Sequence, residues 1–224
     1  MNTVFLLIMS LAAMLVQGLP HASSREWARQ IVDNDVFTVW DVTWAGGRRT
    51  PAHSHENDSV SIYLAGGAIR ITSPDGASRV VTHNMGEAAF EARGGVYGEE
   101  NTSGNSPVRA IVVNLKDRRD PPLQNVSGYP NAFPRPGVKK ILENDRVVVW
   151  DYTWTTGAPT PVHFHDKYVV VVYLEDGAVK STTLDGNSVV NEISFGLATA
   201  NPRARVHTEE VVRGKARAII MELK

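Results

Sequence analysis

The chain has 224 residues, 42% of them apolar and 21% charged, enough for one large domain or two of about 100 residues with a proper core. Its formal net charge is −1, so no basic surplus points to nucleic acid or an anionic membrane surface as partner. It contains no cysteine, which excludes disulfides, thiolate metal ligation and cysteine nucleophiles.

The first element is an apolar run from Val4 to Val16, followed by Gly18-Leu-Pro-His-Ala-Ser-Ser24. A span of a bilayer needs roughly 20 apolar residues, so the run fits a signal-peptide hydrophobic region better than a membrane anchor. No Lys or Arg precedes it. The reading is a signal peptide over 1–22, cleaved after Gly18 or Ala22. It implies export to the periplasm or beyond the cell, with no membrane attachment once cleaved.

The remainder reads as β-structure. Val36–Trp44 and Val147–Trp154 are rich in β-branched and aromatic residues with alternation, and Tyr168–Leu174 is a continuous apolar strand. Glu175-Asp-Gly177 and Asp185-Gly186 are hairpin-turn signals. Five prolines lie between 121 and 136, so residues 119–138 read as a linker or strapped-down crossover. The flanking segments, 25–118 and 139–224, then form two small all-β barrels.

These two segments repeat each other at an offset of 110 residues. Val39-Trp-Asp41 falls on Val149-Trp-Asp151, Thr43-Trp44 on Thr153-Trp154 and His53-x-His55 on His163-x-His165. Tyr63-Leu64 falls on Tyr173-Leu174, Asp75-Gly76 on Asp185-Gly186 and Glu99-Glu100 on Glu209-Glu210. Chance does not hold one offset through so many identities, so the domain is duplicated. The tryptophans recur in both copies, as expected of duplicated cores.

His163 and His165, one residue apart, point to one face of a strand. His207 stands near the start of a later strand, after the loop signal Asn201-Pro-Arg-Ala204. If the two strands are neighbours, three neutral imidazoles converge, a set suited to a divalent Zn, Fe, Ni or Cu ion.

On these residues the chain resembles the cupins, and as a duplicated pair a bicupin. The first cupin motif is a glycine, five residues, His-x-His, then a glutamate and a closing glycine. Gly157, His163-Phe-His165 and Gly177 keep its places. The second motif appears as Gly196, Pro202-Arg-Ala204 and His207, with Ala204 in place of a glycine and Val211 in place of an asparagine. Val170 and Val60 occupy the glutamate position, and Tyr97 stands where His207 stands. The resemblance therefore implies two double-stranded β-helix barrels, a degenerate site in the first, and a carboxyl-terminal site like that of the three-histidine cupins. That subset includes dioxygenases, which implies Fe(II) ahead of Zn, Ni, Mn or Cu at His163, His165 and His207. It also implies a small polar or anionic substrate, and a monomer or a homodimer.

Two further residues are candidates for catalysis. Glu209 shares strand parity with His207, as a fourth ligand, an acceptor that fixes a histidine tautomer, or a base. Arg205, of the same parity, is a candidate anchor for an anionic substrate, and its counterpart in the first copy is Gly95. Two other classes fit the same residues: a non-catalytic barrel that binds a small ligand or sugar, and a metal-dependent isomerase or lyase.

Overall fold

A computed structural model describes residues 20–22 and 27–224. The segment 1–22 read as a signal peptide lies outside the described residues except for its last three. Among the described residues there is no α-helix, and no helix long and apolar enough to cross a membrane.

Among the described residues, eighteen strands form four sheets. In the first half of the sequence they are β1 (Ala28–Asp33), β2 (Phe37–Trp44), β3 (His53–Ser54), β4 (Asp58–Ala65), β5 (Gly67–Thr72), β6 (Ser78–His83), β7 (Ala88–Glu91), β8 (Val96–Asn101) and β9 (Val108–Leu115). They pair in the orders β1-β2-β9-β4-β7 and β3-β8-β5-β6. The second half supplies β10 (Lys139–Glu143), β11 (Val147–Thr153), β12 (His163–Phe164), β13 (Val169–Tyr173), β14 (Gly177–Thr183), β15 (Ser188–Ile193), β16 (Ala198–Asn201), β17 (Val206–Gly214) and β18 (Arg217–Leu223). Their orders are β10-β11-β18-β13-β16 and β12-β17-β14-β15. Adding nine to each strand number of the first pair of sheets gives the second pair, so the duplication read from the sequence is a duplication of topology.

In the second half, alternate residues build the interior. Trp150 and Tyr152 of β11, Ala218 and Ile220 of β18, and Val169 and Val171 of β13 belong to one buried cluster. The opposite parity of β13 and β18 is buried as well, with Val170, Val172, Ile219 and Met221 at 0% exposure. A sheet covered on both faces needs apolar residues at every position, which is why Tyr168–Leu174 reads as an unbroken run.

The proline-rich segment also enters this unit. Phe164 donates its N–H to the Pro130 carbonyl and accepts that of Ala132, each across 2.8 Å. Ala132 and Phe133 are buried in the cluster, and Phe133 stacks on Trp150 with ring centroids 5.7 Å apart.

One turn differs from expectation. Asp185-Gly186 closes the β14–β15 hairpin, and Gly186 takes φ +84°. Glu175-Asp-Gly177, also read as a hairpin turn, instead carries the chain from β13 in one sheet to β14 in the other. Acidic-glycine turns mark a reversal of the chain, but only pairing partners decide whether the next strand stays in the sheet.

Candidate metal centre

Strand pairing brings the three sequence-selected histidines together. His163 on β12 lies directly opposite His207 on β17. His165 follows two residues later, and its N–H donates to the Arg205 carbonyl at 2.9 Å, continuing the ladder past the named strand. The three ring centroids form a nearly equilateral triangle with sides of 5.0, 4.8 and 5.0 Å. One ligand nitrogen from each ring lies within 4.8 Å of the other two, and all three residues are buried.

Hydrogen bonds orient two of these rings. His163 donates Nδ1–H to the Pro161 carbonyl at 2.8 Å, which leaves Nε2 with its lone pair, and that atom is buried without a hydrogen-bond partner. Nδ1 of His207 meets Ser181 Oγ at 2.7 Å and Arg205 Nη2 at 3.1 Å. Nε2 of His207 lies 2.9 Å from Nε2 of His165. Two nitrogens bound to one ion at about 2.1 Å and at right angles sit about 3.0 Å apart, so this spacing and the orphaned Nε2 of His163 fit a shared divalent ion.

Electrostatics favours the ligand form. Burial lowers the pKa of His163, and burial together with the neighbouring imidazoles brings His165 to about 3. Burial likewise brings His207 to about 4 against the opposing pull of Glu209. Neutral imidazole is the species that binds metal.

Glu209 and Arg205 both reach this region. In the register of β14 with β17, Ser181 faces Glu209 and Thr183 faces His207, so Ser181, His207 and Glu209 share the inward face. Glu209 stands outside the group of mutually close ligand atoms. Its Oε2 accepts from Trp154 Nε1 at 3.1 Å and from Arg135 Nη2 at 3.3 Å. Burial pushes its carboxyl upward, but Arg135 and the histidines outweigh this and hold it at about 2. Arg205 bonds Asn201 Oδ1 at 2.7 Å as well as His207. His165, Arg205, Glu209 and Ser181 line a cavity of about 420 Å³.

Val170, in the place of the motif's glutamate, is fully buried with the parity opposite to Val169 and Val171, which line the cavity. No carboxylate therefore enters from β13. Glu222 of β18, opposite Val169, is a buried carboxylate outside both the cavity lining and the histidine cluster; it accepts from Trp150 Nε1 at 2.9 Å, and burial raises its pKa.

Three residues of this neighbourhood were not singled out in the sequence. Ser181 had a signal, since its first-copy counterpart is Ile71. Glu222 had a weaker one, an acid in the inward parity of Ala218 and Ile220. Arg135 had none, because it lies in the segment read as a linker.

In the first half, Tyr97 lies opposite His53. Its hydroxyl donates to Glu91 and its ring stacks on His55 at 4.4 Å. His53 Nδ1 repeats the bond to a proline carbonyl, Pro51, at 2.9 Å, and Trp44 Nε1 donates to Glu99 at 3.0 Å. His83 is half-buried and stacked on Tyr63 with ring centroids 3.9 Å apart.

The sequence matches no family model and no curated protein sequence. Solved structures do match. A cupin 2 conserved barrel domain protein from Leptotrichia buccalis superposes with a TM-score of 0.56 at 13% identity, over 88% of both chains. A mutant of Bacillus subtilis oxalate decarboxylase gives a TM-score of 0.62 at 12% identity, over 87% of this chain and 72% of the other. The chain has a bicupin fold. At these identities the likeness concerns fold alone, so any chemistry rests on the chain's own residues. In its second barrel those residues are three buried imidazoles, an orienting hydroxyl, a fixed carboxylate and a guanidinium beside one cavity.

Proposed function

We propose that the chain is an exported bicupin enzyme with one mononuclear metal site, held by His163, His165 and His207, acting as a dioxygenase-like oxidoreductase on a small polar or anionic molecule. The observation that carries this reading is the orphaned, buried Nε2 of His163 beside the 2.9 Å approach of the other two Nε2 atoms. A divalent ion there, Fe(II) foremost, supplies Lewis-acid and one-electron chemistry.

The chain's residues provide the setting. Pro161 and Ser181 orient the imidazoles by accepting Nδ1–H, as is usual for metal-ligating histidines. Arg205 offers a guanidinium to an anionic group entering the cavity. Glu209, ionised and fixed through Oε2, keeps Oε1 as a proton acceptor toward bound substrate. The aliphatic wall of Val169 and Val171 limits water.

A second reading has its own support. A guanidinium can only donate, so the Arg205 contact at Nδ1 of His207 favours the tautomer protonated on Nε2, which donates to His165. That self-satisfied arrangement fits a metal-free barrel that binds a small ligand without transforming it.

Oxygen consumption by the Fe(II)-loaded chain, screened against small organic acids, tests the enzyme reading. Uptake that needs both iron and substrate supports it. Substrate turnover without uptake assigns the site to an isomerase or lyase, and neither uptake nor turnover leaves the binding protein.

A further inference from the structure

The cavity beside the histidines has one unanswered charge. Of the two acids on its wall, Glu209 pairs with Arg135 and Glu192 with Arg213, and neither of those arginines lines the cavity. Arg205 does line it, is half-buried, and bonds only the neutral groups of Asn201 and His207. Its charge has no carboxylate partner among the described residues. A cation kept from water and left unpaired is a site for an anion supplied from outside.

The lining is graded along the barrel. Val169 pairs with Asn201 and Val171 with Thr199, and the Tyr173 N–H reaches the Leu197 carbonyl. On the facing strands Ser181 and Val179 share the inward parity, and Ile193 pairs with Gly177 beyond them. Arg205, Asn201, Ser181, Glu209 and His165 thus stand at one end, and at the other Tyr173, Val179, Ile193 and Leu197 form an aliphatic wall edged by Asn191 and Glu192 of β15. Val169 to Tyr173 is four residues of strand, about 13 Å.

We propose that this cavity takes a small monocarboxylate with a hydrocarbon body, its carboxylate on Arg205 at the histidine end and its body along Val171, Val179, Ile193 and Leu197. This deepens the proposed function and rests on it only for the metal beside the carboxylate. An extended chain of about six carbons fits within that span. A second carboxylate at the far end loses hydration against the aliphatic wall and meets the like charge of Glu192, so dicarboxylates of the same length are rejected.

Isothermal titration of the full chain, metal-free and Co(II)-loaded, with hexanoate, hexanamide and adipate tests the proposal. Hexanoate is expected to bind at least tenfold more tightly than hexanamide or adipate in both forms. Arg205→Gln should abolish the preference for hexanoate over hexanamide, and Arg205→Lys should restore part of it, with thermal melts reporting that each variant folds. Equal binding of hexanoate and hexanamide, adipate binding as tightly as hexanoate, no hexanoate binding at all, or an undiminished preference in Arg205→Gln would each overturn it. If Co(II) fails to bind the histidines, the metal reading falls, and the metal-free comparison still decides this one.

Discussion

Ser181 Oγ lies 2.7 Å from Nδ1 of His207, the imidazole nitrogen remote from His165. The hydroxyl accepts from Nδ1–H when Nε2 serves a metal, and donates to a bare Nδ1 when it does not. Arg205 can only donate, so it supports the second state alone. The two neighbours of one ring nitrogen thus favour different tautomers.

Ser181→Ala removes the only acceptor of this pair. Loss of such an orienting partner weakens metal binding about 10- to 100-fold. Titration of the variant with Co(II) against a competing chelator should show that loss, with a thermal midpoint close to that of the parent. Undiminished affinity would show that Ser181 has no part in orienting His207.

Arg135 comes from the proline-rich segment and is caged by aromatics, its guanidinium 4.2 Å from the Tyr152 ring and 4.5 Å from that of Phe133. Two of its nitrogens, buried without hydrogen bonds, face this cage. Its side chain is 9% exposed and that of Glu209 17%, so truncating one leaves a nearly buried charge. Arg135→Met should cost about 3–5 kcal/mol in urea unfolding. Adding Glu209→Gln should recover a substantial part, because the orphaned charge is then gone. Equal and additive losses would refute the pairing.

Acid should destabilise the metal-free chain in two windows. The histidines have folded pKa values below the ordinary 6.5, about 3 for His165 and about 4 for His207. As pH falls below 6.5 the unfolded chain takes up protons that the folded chain refuses. Stability therefore drops by about 1.4 kcal/mol per pH unit for each such histidine. Glu209, at about 2 against 4.5, contributes stability that is present above 4.5 and lost only below it. Urea unfolding of chelator-treated protein at pH 7, 6 and 5 should show the first window, and an Asn substitution at both His165 and His207 should flatten it. A parent curve that is level over that range would contradict these shifts.

Ala204 takes φ +69° in the bend between β16 and β17, where the second motif has glycine, and its N–H donates to the His165 carbonyl at 2.8 Å. A left-handed alanine is strained by about 1–2 kcal/mol, whereas glycine loses an extra 0.5–1 kcal/mol or so of backbone freedom on folding. The strain outweighs that loss, so Ala204→Gly should stabilise the chain by up to about 1 kcal/mol in thermal or urea unfolding. A destabilised variant would show that the turn is not strained.

The duplication, the strands and the convergence of His163, His165 and His207 were legible because each rests on spacing: a fixed offset, strand parity, and histidines at separations that pairing can close. Ser181 and Arg135 were not, for different reasons. Ser181 is ordinary in a strand, and only its contrast with Ile71 across the repeat marks it. Arg135 acts from a segment without periodicity, so its contact with Glu209 depends on how the prolines lead the chain into the barrel. The turn at Glu175–Gly177 misled because local turn chemistry is the same whether a strand stays in its sheet or leaves it.

Metal content of the intact chain, purified without chelator and then titrated with Co(II), bears most directly on the three imidazoles. Close to one ion per chain is predicted, lost in His207→Ala and retained in His53→Ala. Fewer than about 0.2 ions per chain, at the Kd range expected of a three-histidine site, or binding unchanged by His207→Ala, would contradict it.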